Sequence, residues 1–214
     1  VVTAENALKW ANVHPYEGIY AFQRADQLIE FAKQHEMEVI GHTLVWHNQT
    51  PAWVFQDANG GPIDREALLE RMHDHISTVV GRYCGTIKGW DVVNEAFEDD
   101  GSLRRTKWLD IIGEDYIEKA FRWAHEACPE AELYYNDYNL TNPAKRAAVI
   151  RLIRDLQEKG VPIHGVGEQA HYDTYSPSIN EVRRTIEELS TLNIPVLITE
   201  LDLSVYRWTE RRNL

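Results

Sequence analysis

The sequence predicts an α/β fold of the (β/α)8 barrel kind, and three observations predict it. Short β-branched runs alternate with amphipathic helical stretches along the 214 residues, a pattern that builds a parallel sheet through right-handed crossovers. Polar and aromatic residues gather at the C-terminal ends of five or six successive predicted strands. A barrel carries its active face there, whereas a doubly wound sheet concentrates ligand groups near one switch point. Neither G-x-G-x-x-G nor G-x-x-x-x-G-K-[ST] occurs, so a nucleotide-binding sheet has no motif behind it.

The strands are read at MEVIGHTLVW (37–46), IKGWDVV (87–93), ELYYND (132–137), IHGVGEQ (163–169) and IPVLITEL (194–201). Helices are expected at about 21–35, 64–82, 112–127, 143–159 and 179–192. Their ends carry local signals. Asn142 is placed to cap a helix whose first position is Pro143, and Gly160 falls just past its end. Within it Ile150, Ile153 and Leu156 recur at helical spacing and face a sheet. Ser178 and Glu181 form an S-x-x-E capping box, and Asp64 is a cap for the helix carrying Leu68, Met72, Ile76 and Val79.

Composition narrows the function classes. Hydrophobic residues make up 43% and charged residues 26%, enough for one sizeable core, so residues 1–214 are read as a single domain. No apolar run approaches the roughly 20 residues of a membrane helix. The net charge of −12 repels polyanions and anionic bilayers, so neither nucleic acid nor membrane is an expected partner. The opening VVTAENALKW shows no secretory signal pattern. Cys84 and Cys128 have no zinc spacing; they pair, sit reduced in the core, or are unrelated.

The strand ends supply the chemistry. Glu95 closes the strand of WDVVNEAF beside Asn94, and Glu200 closes that of VLITELDLS, with Asp202 two residues on and expected on the same face. Two carboxylates at one end of a barrel can divide glycoside cleavage: one protonates the leaving oxygen and the other attacks the anomeric carbon. His73 and His75 would lie on different faces of their helix, which argues against a metal pair. Trp10, Trp53, Trp90, Trp108 and Trp123 are read as packing, and EDDG (98–101) as a turn.

The blocks TAENALKW, GHTLVWHNQTPAW, GWDVVNEAFEDDGSLR, YYNDYN, GVGEQAHY and ITELDLS, in that order, resemble the signature segments of family 10 glycoside hydrolases. That resemblance implies a (β/α)8 TIM barrel, retaining endo-β-1,4-xylanase activity on xylan or xylo-oligosaccharides, and no metal or organic cofactor. Glu95 matches the acid/base and Glu200 the nucleophile. Asn94 matches the residue that holds the sugar 2-hydroxyl. His171 and Asp202 match the pair that orients the nucleophile, and a histidine between two carboxylates would help keep Glu200 ionised. Glu5, Asn6 and Lys9 resemble hydroxyl clamps on the glycone side. His42, Trp46 and Gln49 resemble the wall around the cleaved sugar, Gln169 its neighbour, and Tyr138 and Asn139 aglycone contacts. The polymeric substrate implies secretion, although intracellular members exist.

Several positions depart from the family pattern: Ala7, Leu8, Thr141 and above all Glu168, which alternation with Gln169 turns away from the site. A complete barrel takes about 250 residues. By the resemblance, strands 2–7 are present, while strands 1 and 8 are missing from this chain. Two open sheet edges invite dimerisation or a complementing chain. Two alternatives therefore stand beside the xylanase: a weakly active xylan-binding fragment that needs a complementary chain, and a barrel glycosidase acting on cellulose or mixed glucans.

Overall fold

The structure, a computed structural model, describes residues 1–206. Eight strands appear in chain order: β1 (Val2–Thr3), β2 (Val39–Val45), β3 (Gly89–Asn94), β4 (Glu132–Asp137), β5 (Gly165–Glu168), β6 (His171–Asp173), β7 (Val196–Ile198) and β8 (Asp202–Ser204). Seven α-helices run between them: α1 (Trp10–Val13), α2 (Gln23–Gln34), α3 (Arg65–Arg82), α4 (Lys107–Ile112), α5 (Tyr116–Ala127), α6 (Pro143–Glu158) and α7 (Ile179–Ser190). Six strands form one wholly parallel sheet in the order β1-β2-β3-β4-β5-β7. This is the curled arc of an incomplete (β/α)8 barrel, with each βα unit adding its strand next to the last.

Local chemistry explains the helix boundaries. Asp64 accepts from the Ala67 N–H at the start of α3, and Asn142 from the Ala144 N–H at the start of α6, where Pro143 needs no partner. Ser178 and Glu181 make both bonds of a capping box on α7. The helix expected at about 112–127 is α5, which starts at Tyr116, and the short helix α4 before it was not expected. Gly113, at φ +97°, ends α4, and α5 starts three residues later; an L side chain rarely adopts that conformation. The short helix α1 and the 3-10 turn Ala52–Phe55 have too few residues to show a period.

The buried strands β3 and β5 have the solvent-free pattern of a parallel sheet clad by helices. Leu68, Met72, Ile76 and Val79 of α3 are fully buried, as are Ala120, Phe121 and Ala124 of α5. A disulfide joins Cys84, just past α3, to Cys128 at the end of α5. His75 is buried and His73 exposed, so the two do face apart. Trp10, Trp90 and Trp108 are buried, and Trp53 and Trp123 partly so. Of the expected sheet-facing residues of α6, Ile153 and Leu156 are buried while Ile150 packs at the margin.

One structural expectation needs correction. The strand read through residue 201 ends at Ile198, so strand alternation does not bring Glu200 and Asp202 together. Asp202 instead begins β8, which pairs in parallel with β6 and sets Asp202 opposite His171. No helix among the described residues is long and apolar enough to cross a membrane.

Candidate active site

Glu95 leaves β3 at φ +58°, and two neighbours fix that turn. Its N–H bonds the Asn136 carbonyl at 2.9 Å, and its own carbonyl accepts from Arg104 Nε at 3.0 Å. Its carboxylate accepts from Trp46 Nε1 at 2.9 Å, Asn94 Nδ2 at 3.0 Å and Gln169 Nε2 at 3.0 Å. Three elements thus aim one carboxyl group: the end of β2, β3 itself and the end of β5.

Glu200 is held on the facing side. Its Oε1 accepts from Asn136 Nδ2 at 3.0 Å, and its Oε2 lies 3.1 Å from His171 Nε2. The other imidazole nitrogen, Nδ1, lies 2.5 Å from Asp202 Oδ2. The hydrogen bond with Glu200, reinforced by Asp202, raises the His171 pKa from 6.5 to about 9 against the effect of burial. The imidazolium is therefore the form at neutral pH. Burial pushes the Glu200 carboxyl up, but the His171 hydrogen bond, the charge of His42 and the Asn136 amide outweigh it and hold the group below its ordinary range.

The two carboxylates share a relay. Asn94 donates to Glu95 and through Oδ1 accepts from Asn136 at 3.0 Å, while Asn136 donates to Glu200. Asn94 and Asn136 are register partners on β3 and β4, so their side chains leave the sheet on the same face. The Asn136 amide needs the space over Gly167, where a Cβ would sit 2.3 Å from Asn136 Oδ1. Thr199 Oγ1 also donates to that oxygen at 2.8 Å. Asn136 was not among the site residues expected from the sequence. Its place opposite Asn94 across the parallel ladder was the available signal.

The remaining expected residues sit at varied distances from this network. His42 lies below it, its Nδ1 2.8 Å from Asp91 Oδ2, in a buried pair. Lys9 Nζ stands 4.9 Å from the centre of the Trp46 ring and donates to Asn6 Oδ1 at 3.2 Å, which ties the segment before α1 to the indole that bonds Glu95. Tyr138 is joined through Arg104, whose Nη2 donates to its hydroxyl at 2.8 Å. Among the described residues, the network does not take in the side chains of Glu5, Gln49 or Asn139; Glu5 and Gln49 are exposed. Beside Glu200 the concave face holds a cavity of about 240 Å³ lined by Ile40, Asp91, Tyr134 and Thr199.

One group of three potential metal ligands occurs among the described residues: Cys84, Cys128 and Glu130. The disulfide takes both thiolates that an ion would need. The site network itself is an arrangement of carboxylates with amide, indole and imidazole donors, suited to a hydroxyl-rich ligand and to proton transfer.

The family model described as Glycosyl hydrolase family 10 matches residues 1–214. An endo-1,4-beta-xylanase B of Paenibacillus barcinonensis is 52% identical over 213 residues, 99% of this chain and 64% of that protein. A crystal structure of a xylanase from the same organism, complexed with a conduramine derivative, superposes with a TM-score of 0.94 at 52% identity, covering 96% of this chain and 63% of the other. An intracellular xylanase of Thermoanaerobacterium saccharolyticum, solved as a mutant with xylotriose, gives a TM-score of 0.91 at 44% identity over 94% of this chain and 64% of its own. The chain thus spans a little under two thirds of the length of each of these relatives.

Proposed function

From the premise that this chain belongs to glycosyl hydrolase family 10, we propose that it is the larger part of a retaining endo-1,4-β-xylanase. The observation that carries this reading is the linkage of Glu95 and Glu200 through Asn94 and Asn136 into one network, with Glu200 held ionised. Relatives near half identity are named endo-1,4-beta-xylanases, and one neighbour binds xylotriose, which supports xylan as the polymer.

The steps are those of a retaining glycosidase. Glu95 donates a proton to the glycosidic oxygen as the carboxylate of Glu200 attacks the anomeric carbon, and the aglycone leaves. The resulting glycosyl ester on Glu200 is opened by water, whose proton Glu95 accepts; two inversions retain the anomeric configuration. Asn94, bonded to Glu95 and Asn136, holds the 2-hydroxyl on this reading. His171 and Asp202 orient Glu200 and balance its charge. Lys9, Asn6, Glu5, His42, Trp46, Gln49 and Gln169 form the glycone side, and Tyr138 and Asn139 the aglycone side. Rings meet the C–H faces of a pyranose, and amides and charges meet its hydroxyls.

The disulfide between Cys84 and Cys128 supports a secreted protein, since such bonds persist in oxidising compartments. A second reading has an observation of its own. Among the described residues, β1 and β7 each have one neighbour in the sheet, and Ile179, Leu201, Leu203 and Tyr206 are exposed near the β7 side of the chain. On that reading this stretch binds xylan weakly and needs a complementary chain or second copy along its edges.

The deciding experiment compares the full-length protein with its Glu200→Ala variant on xylan and on cellulose. Xylan hydrolysis lost in the variant supports the proposal. Retained hydrolysis, or a preference for cellulose, overturns it. Size-exclusion chromatography of residues 1–214, alone and mixed with the rest of the protein, tests the second reading.

A further inference from the structure

Glu168 ends β5 opposite Asp137 of β4. Gly167 faces Asn136 on the concave side, so Glu168 faces the other way, among the loops that leave the strand ends. It is 1% exposed. Its Oε2 accepts from the Leu140 N–H at 2.8 Å and its Oε1 from the Ala170 N–H at 3.1 Å. Those two amides belong to different segments. Leu140 follows Tyr138 and Asn139 in the loop after β4, and Ala170 lies between Gln169 and His171.

The two segments differ in how they are held. Around Ala170 the backbone is anchored: Gln169 N–H bonds Asp137 O at 3.0 Å, Glu200 N–H bonds Gln169 O at 3.1 Å, and Asp202 N–H bonds Ala170 O at 3.3 Å. The loop after β4 turns through Asn139 at φ +58°. Arg146 grips it from outside by the carbonyls of Leu140 and Thr141, at 2.9 and 3.0 Å. Inside, the Leu140 amide rests on the Glu168 carboxylate, and the Leu140 side chain is fully buried. A carboxylate is a strong double acceptor for N–H groups.

We propose that Glu168 is a positioning residue: its carboxylate clamps the loop bearing Tyr138 and Asn139 to the anchored segment bearing Gln169 and His171, and so sets the aglycone wall relative to the acid/base. This rests on the xylanase reading for the identity of that wall. The clamp is strongest when Glu168 is ionised, because the protonated acid turns one oxygen into a donor and loses one of the two amides. The charged groups around it are Asp137 on β4, whose charge raises its pKa, and Lys145 on α6, which lowers it; the Tyr172 hydroxyl on β6 lies 3.5 Å away. Burial, the largest effect, carries the Glu168 pKa up to about 7.

The test uses the full-length protein and its Glu168→Gln variant. The variant keeps the shape of the side chain but presents an amide N–H₂ where one oxygen accepted. Two substrates are compared: an aryl β-xylobioside, whose leaving group fills a single aglycone position, and xylohexaose, which spans the aglycone side. Loss of a charge-assisted bond predicts about a tenfold fall in kcat/KM on xylohexaose, mostly through KM, with the aryl xylobioside changed less than about twofold. Amide hydrogen exchange at Leu140 should speed up in the variant by about the same factor. Equal effects on both substrates, or unchanged exchange at Leu140, overturn the proposal.

Should the variant fail to fold, the wild type still decides. Its xylohexaose-to-aryl-xylobioside ratio of kcat/KM should fall as pH drops through about 7, and a flat ratio contradicts the clamp. If the wild type cleaves neither substrate, the xylanase reading falls, while exchange at Leu140 still decides whether Glu168 holds the loop.

Discussion

The Nε2 nitrogen of His171 lies 3.1 Å from Glu200 Oε2, and on its far side the same ring meets Asp202. The carboxylates of Glu200 and Asp202 raise the pKa of the ring to about 9, and the ring in turn lowers that of Glu200. A base whose pKa is raised by folding binds its proton more tightly in the folded state. The stabilisation it provides is therefore complete below its unfolded value of 6.5 and is lost as pH rises through about 9. NMR titration should find His171 charged at neutral pH in the wild type. In Asp202→Asn its pKa should fall toward 6.5. The stability gap between the two proteins should be wide at pH 6.5 and close toward pH 9.

The acid/base role proposed for Glu95 predicts a dependence on the leaving group. Glu95→Ala should lower kcat/KM on xylan by about 10²–10⁴-fold, the usual worth of general acid catalysis. An aryl glycoside whose phenolate leaves without a proton should suffer much less in its first step. An equal loss on both substrates would assign Glu95 a different task.

The disulfide closes a loop of 44 residues in sequence separation between the ends of α3 and α5. On the chain-entropy estimate such a loop contributes about 4 kcal/mol. A Cys84→Ser, Cys128→Ser double variant should lose stability of that order in a denaturant titration, and added reductant should then have no further effect on it.

Lys145 and Asp137 form an ion pair at 2.8 Å with neither side chain exposed. Burial raises Asp137 to about 6 despite the lysine beside it. Lys145→Met strands the carboxylate and should destabilise the protein by about 3–5 kcal/mol. Adding Asp137→Asn should restore most of that, as read by urea midpoints.

What could be seen in the sequence was what local physics decides. The caps at Asp64, Asn142 and Ser178 each join residues two or three apart, so the signal and its cause share one short window. The strands β2, β3, β4, β5 and β7 were visible because short β-branched runs differ from amphipathic helices, and in the first four those runs are largely buried on both faces. The helix α4 went unread because its six residues, Lys107–Ile112, are too few to show a helical period. The β6–β8 pairing and the cysteine pairing depend on where distant segments meet. Asn136 looked like an ordinary strand-end polar residue until its register with Asn94 placed it between two carboxylates. The burial of Lys145 and Glu168 was equally invisible, since a charged side chain is read as solvated unless its partner is known.

On the proposed mechanism Glu200 forms a covalent bond to the sugar. A 2-fluoro xylobioside with a good leaving group, incubated with the full-length protein, should trap that ester, because the fluorine slows its hydrolysis. Mass spectrometry of the digested protein is the measurement. A mass increment of one 2-fluoro xylobiosyl group, its leaving group lost, on the peptide containing Glu200 is the predicted result. A label on any other residue, or complete turnover with product of inverted configuration, would contradict the account.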